Sequence, residues 1–104
     1  MESFEEVDIH KAKEMLEGDT LFVDVRGKEY FDGGHIKGAT YVDDTNIEGF
    51  VQETDKEQPI LCYCHMGFSS KSAAQYLKDQ GFKTVYSMTG GITQWQNEYA
   101  DFME

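Results

Sequence analysis

Ile9, Ala12, Met15 and Leu16 recur at the three- and four-residue spacing of one helix face. Asp8 stands where a side chain can cap the first turn of that helix, and Gly18 where it must stop. The run 21–25 (Leu-Phe-Val-Asp-Val) is compact and apolar, which predicts a buried strand. A short helical turn over 29–32 then leads into Gly33-Gly34, and 40–42 predicts a second short strand. Asn46 is placed to cap a turn or two of helix carrying Ile47, Phe50 and Val51. Pro59, the only proline, precedes a third strand at 60–63. Ser69 or Ser70 is expected to cap the clearest helix, with Ala73, Ala74 and Leu77 facing inward and Gly81 at its end. A fourth strand is predicted at 84–87, and Gly90-Gly91 opens a last helix around Ile92, Trp95 and Tyr99. Short strands alternating with helices predict an α/β domain, a mainly parallel sheet with helices on both faces. Such sheets bind ligands beyond the carboxyl ends of their strands, so the strand 60–63 presents Cys64 where chemistry is expected.

Composition narrows the function. The 104 residues fit one domain, 1–104, and carry 20 Asp+Glu against 9 Lys+Arg, a net charge of −11. A hydrophobic content of 39% with 13% aromatics is too rich for a disordered acidic tail. The negative charge argues against nucleic acid and acidic membrane surfaces as partners. No apolar run is long enough to span a bilayer, and the acidic start (MESFEEVD) is unlike a secretory signal. Two cysteines one residue apart, Cys62 and Cys64, form no disulfide framework and point to the reducing cytosol.

The segment Cys64-His-Met-Gly-Phe-Ser69 lies between the predicted strand and the helix that follows. Cysteine reacts as its thiolate, and an unperturbed thiol is only about 3% ionised at pH 7. A helix N-terminus offers unpaired N–H groups and roughly half a positive charge, which favour the anion. If the loop curls around Cys64, the N–H groups of residues 65–70 form a cup for an anion beside the sulfur, and Gly67 permits the positive φ that such a curl needs. Cys62, inside the apolar strand, reads as a packing residue. A zinc site from Cys62, Cys64, His65 and His35 is disfavoured, because the spacing is wrong and a strand points Cys64 and His65 in opposite directions.

Three separated segments together resemble the rhodanese family. The first is Asp24-Val-Arg26 followed by Phe31-Asp-Gly-Gly-His35-Ile-Lys-Gly38-Ala39, similar to the family's D-x-R and aromatic-x₃-H-[ILV]-x-G-A signature. The second is the six-residue cysteine loop with Gly67 at the loop glycine; the third is Gly90-Gly91-Ile-Thr-Gln-Trp95, similar to the C-terminal G-G-x-x-x-W. The match runs from about residue 20 to 96, and the segment Ser69-Ser-Lys-x-Ala-Ala-Gln-Tyr-Leu77 resembles the single-domain thiosulfate sulfurtransferases. Two positions depart from the pattern: Lys37 stands where proline is usual, and Tyr30 where an acid often precedes the loop aromatic.

The resemblance implies a rhodanese-like, five-stranded mainly parallel sheet with helices on both faces. It also implies transfer of the sulfane sulfur of thiosulfate through a persulfide on Cys64, with no metal and no organic cofactor. The acceptor would be a small thiol, cyanide or a thioredoxin-like protein. Cys64 is the expected nucleophile, and His65, Met66, Gly67, Phe68, Ser69 and Ser70 are the expected substrate-binding residues. One of the two serines is expected to cap and the other to touch substrate; Met66 and Phe68 are expected to form an apolar rim. Lys71 could lend charge to an incoming anion but reads more readily as solvated, Asp24 and Arg26 read as a scaffold pair, His35 as a tie between loops and Trp95 as core.

Three rivals compete with this reading. Phosphatases related to the family use a Cys-x₅-Arg loop, but here position 70 is Ser70 and the only arginine is Arg26. A non-catalytic binding module typically lacks the loop cysteine, which is present here. A persulfide carrier charged by a dedicated partner protein would use the same chemistry at Cys64, and the sequence does not separate it from a thiosulfate enzyme.

Overall fold

The structure, a computed structural model, describes residues 3–104; Met1 and Glu2 of the acidic N-terminal stretch lie outside the described residues. Five strands pair in the order β1-β5-β4-β2-β3, where β1 is Glu5–Val7, β2 Leu21–Asp24, β3 Thr40–Tyr41, β4 Ile60–Tyr63 and β5 Val85–Met88. Every pairing is parallel. The helices are α1 (Ile9–Leu16), α2 (Lys28–Gly33), α3 (Ile47–Glu53), α4 (Ser69–Asp79) and α5 (Gly91–Glu98), followed by a 3₁₀ turn at Ala100–Phe102. No helix among the described residues is long and apolar enough to cross a membrane.

Alternation along the central strands splits the core into two layers. Phe22, Leu61, Tyr63 and Met88 pack on one face of the sheet with Ile9 and Ala12 of α1 and Ile92 and Trp95 of α5. Val23, Ile60, Cys62 and Val85 pack on the other with Ala74 and Leu77 of α4, and the α3 residues Ile47, Phe50 and Val51 join them. All four residues of β4 are buried, which is why its sequence shows no polar alternation.

Helix placement follows the periodicity, and the Asp8 cap is present, its carboxylate accepting from Lys11 N at 2.8 Å. Two other caps differ from expectation. Asn46 holds the N-cap position of α3 but makes no capping bond; its side chain accepts from Asp43 N and donates to Tyr41 O, while Asp43 Oδ1 accepts from the N–H groups of Thr45 and Asn46. Neither Ser69 nor Ser70 caps α4: both lie inside the helix, and Phe68 stands at the cap. The four strands read from the sequence are present within a residue or so of their expected ends. The fifth, β1, shows no apolar signal, being a three-residue edge strand that is mostly exposed.

Near the C-terminus, Ile36 and Met103 form an antiparallel bridge. Lys37 N donates to Phe102 O at 2.9 Å. Lysine in place of proline therefore supplies an N–H that proline lacks, and the chain's end uses it. His35 ties the same region together: Nδ1 donates to Phe31 O at 2.8 Å, its ring stacks on Phe31 at 3.8 Å, and Nε2 lies 3.4 Å from Glu104 Oε1.

Candidate active site

The parallel sheet brings the carboxyl end of β4 beside the start of α4, and the chain between them wraps around the sulfur of Cys64. Cys64 is 3% exposed. Its Sγ accepts from Gly67 N and from Ser70 N, each at 3.2 Å. Ser70 N belongs to the first turn of α4, whose N–H groups have no partner within the helix. The sulfur therefore stands in for the missing cap, which explains why no serine side chain performs that role.

Two glycine-dependent contacts hold the loop in this shape. Gly67 has φ +96°, and a Cβ on it would lie 2.9 Å from Gly90 N and 3.1 Å from Met88 O. Gly91 has φ +61°, and a Cβ there would fall 2.4 Å from His65 O and 2.7 Å from Cys64 O. That close approach lets Ile92 N donate to Cys64 O at 2.9 Å and Thr93 N donate to His65 O at 3.0 Å. The first turn of α5 thus binds the carbonyls of the cysteine loop, while the first turn of α4 binds its sulfur. The separate sequence segments around Cys64 and Gly90-Gly91 form one unit.

The two cysteines are in opposite electrostatic situations. For Cys64, burial pushes the thiol pKa up, but the Ser70 hydroxyl and the N–H groups of Ser70, Gly67 and Met66 outweigh it and hold the thiol below its ordinary value. Cys62, fully enclosed in the core, is pushed up to about 12, chiefly by burial and further by the neighbouring Cys64. The groups that lower it are neutral donors, a hydroxyl and backbone N–H groups. Lys71, in the first turn of α4, lies 3.5 Å from Glu6, and Arg26 is clasped by Asp24.

The other expected residues divide. Ser70 is buried, with Oγ 3.4 Å from Cys64 Sγ and 2.8 Å from Ser87 Oγ. Ser69 is exposed and faces instead a cavity of about 530 Å³ between the ends of β2, β3 and α4, which Arg26, Asp43, Ile47 and Tyr76 also line. Cys64 does not line that cavity. Met66 and Phe68 are 60% and 73% exposed and form an apolar rim, and the exposed His65 packs edge-on against Tyr30 at 4.5 Å. Ser87 is the residue that sequence reasoning missed; as a lone serine in a strand it carried no local signal.

A family model described as Rhodanese-like domain matches residues 8–98. The chain belongs to the rhodanese family. This rhodanese chain is 38% identical over 103 residues to Thiosulfate sulfurtransferase GlpE of Pseudoalteromonas translucida (strain TAC 125), covering 98% of each. Among solved structures it is similar to the rhodanese-like domain of an Anabaena protein, with 26% identity, a TM-score of 0.80, and coverage of 93% of this chain and 75% of that one. It is also similar to a Bacillus halodurans protein, with 29% identity, a TM-score of 0.76, and coverage of 92% and 73%. The five-stranded rhodanese-like sheet that the sequence implied is the one observed.

Proposed function

We propose that the chain transfers the sulfane sulfur of thiosulfate to a thiol or cyanide acceptor through a persulfide on Cys64. The observation that carries this is the sulfur itself, which receives two backbone N–H groups at 3.2 Å and is held toward its thiolate by these neutral donors. The name of the GlpE relative supports the same reaction. The Cys64 thiolate attacks the outer sulfur of thiosulfate; the S–S bond breaks and its electron pair leaves with sulfite. The acceptor thiolate or cyanide then attacks the terminal sulfur of the persulfide, and Cys64 departs as a thiolate. Negative charge passes through the loop in both steps, and N–H donors already in place stabilise it without reorganisation.

In this reading Gly67 and Ser70 bind the reacting sulfur, with the Met66 N–H beside them. Met66, Phe68 and His65 form the mouth through which donor and acceptor arrive, and Ser69 faces the adjoining cavity. No metal or organic cofactor is needed in this reading, because each step is a displacement at sulfur whose electron pair leaves on sulfite or on the Cys64 thiolate. The exposed rim of Met66 and Phe68 suits a protein acceptor such as a thioredoxin-like protein. Two free thiols, one of them activated, suit the reducing cytosol.

Intact mass tests the reaction directly. After incubation with thiosulfate, the protein is expected to gain one sulfur, about 32 Da, which dithiothreitol removes. No gain with thiosulfate, but a gain from a persulfide-bearing donor protein, would make the chain a carrier instead.

The charge of −11 makes a second prediction. Thiosulfate is a dianion approaching an acidic protein, and the cations nearest the loop are already paired. Inert salt should therefore raise kcat/KM for thiosulfate at low ionic strength by screening the repulsion. A clear fall with added salt would contradict it.

A further inference from the structure

Ser87, on β5, is 1% exposed, and its hydroxyl lies 2.8 Å from that of Ser70, where either can donate. Ser70 Oγ is in turn 3.4 Å from Cys64 Sγ. The three side chains form a buried row, Ser87–Ser70–Cys64. Among the described residues no other side-chain hydrogen bond is made by either serine. In the thiol state the row holds three protons, one on each atom, for two hydrogen bonds. The S–H donates to Ser70, Ser70 donates to Ser87, and the Ser87 proton is left over. In the thiolate state there are two protons for the same two bonds, and each has an acceptor: Ser87 donates to Ser70, and Ser70 donates to the sulfur.

We propose that Ser87 is a positioning residue for Cys64, turning the Ser70 hydroxyl toward the sulfur in a relay whose direction reverses when Cys64 ionises. Without Ser87, the Ser70 hydroxyl loses both the contact that selects its rotamer and the donor that polarises it. The inference rests on Cys64 being the reacting thiol of the function proposed above. The charged and titratable groups around the row do not substitute for it. Cys62 on β4 is kept neutral by burial, Lys71 on α4 faces Glu6 of β1, Arg26 after β2 is held by Asp24, and His65 packs on Tyr30.

A lower thiol pKa has two opposed effects on reactivity: more thiolate below the pKa, but a weaker nucleophile once ionised, with a Brønsted slope of about 0.4–0.5. Removing the relay should reverse both. In Ser87→Ala, the pKa of Cys64 is expected to rise on the order of half a unit. The rate of alkylation by iodoacetamide should then fall about twofold well below the pKa and rise about 1.7-fold on the alkaline plateau. A stabilised Cys64 thiolate is also the better leaving group, so the same variant should pass sulfur to its acceptor more slowly.

The experiment is the pH dependence of Cys64 alkylation by iodoacetamide, read by intact mass, for wild type, Ser70→Ala, Ser87→Ala and the double variant. Ser70→Ala should raise the pKa more than Ser87→Ala. The double variant should match Ser70→Ala alone, because Ser87 acts through Ser70. Additive shifts, a Ser87→Ala pKa within about 0.1 unit of wild type, or a lower alkaline plateau, as a distorted loop would give, would each overturn the relay. Should Ser87→Ala fail to fold, Ser87→Thr keeps the hydroxyl and is expected to titrate with wild type; an upward shift of half a unit would overturn the proposal. Alkylation needs no thiosulfate. The relay can therefore fail while the gain of one sulfur stands, and the gain can fail while the relay stands.

Discussion

Cys64→Ser abolishes sulfur transfer from thiosulfate to cyanide, an expected loss of about three orders of magnitude or more, while Cys62→Ser keeps most of it. The asymmetry follows from the two environments. The serine hydroxyl in place of Cys64 would keep its proton at neutral pH and could not carry a persulfide. Cys62 is fully buried between the sheet and α4, and its thiol is pushed up to about 12. Replacing it leaves the loop donors in place and puts a hydroxyl into an apolar layer, which costs stability before it costs chemistry. Thiocyanate formation under saturating thiosulfate measures both variants. Activity near wild type in Cys64→Ser would remove that cysteine from the mechanism, and a comparable collapse in a folded Cys62→Ser would require both thiols.

Arg26→Ala is expected to destabilise the fold strongly. Arg26 Nε lies 3.0 Å from each oxygen of Asp24, and Nη2 reaches Asp24 Oδ2 at 2.7 Å and Gly34 O at 2.6 Å. The carboxylate is fully enclosed, and the arginine side chain is 7% exposed. Removing the guanidinium leaves a buried carboxylate without its partner, which costs about 3–5 kcal/mol. It also releases the Gly34 carbonyl, and with it the segment that leads to His35 and the C-terminal bridge. For a domain of this size the melting temperature should fall by about 12 °C or more. Arg26→Lys should recover only part of the loss, because an ammonium cannot reproduce the fork. Thermal unfolding followed by circular dichroism decides the matter; a fall of only two or three degrees would mean that the pair contributes little. Sequence alone reads Asp24 and Arg26 as a scaffold pair, and the structure buries them against each other at the strand end.

The sequence determined the order of the helices and of four of the five strands, the parallel α/β class and the place of Cys64 at a strand end. Those properties follow from local periodicity, and in β4 from a run of four apolar residues that only a doubly covered strand can bury. It also marked Gly67 and Gly90-Gly91, because a glycine requirement is a property of the backbone at that position. The tertiary structure decided what these parts do to one another. Parallel pairing places β5 beside β4, so Ser87 meets a serine 17 residues away in sequence. The sulfur of Cys64 caps α4, and that relieves Ser69 and Ser70 of the role their position implied. Glycine at 91 lets α5 bind the carbonyls of the loop. β1 pairs with β5 through its backbone and adds Val7 to the core, but its side chains show no strand pattern in the sequence to announce it. Local pattern reports which face a residue prefers, whereas hydrogen bonds between distant segments depend on how the layers come together.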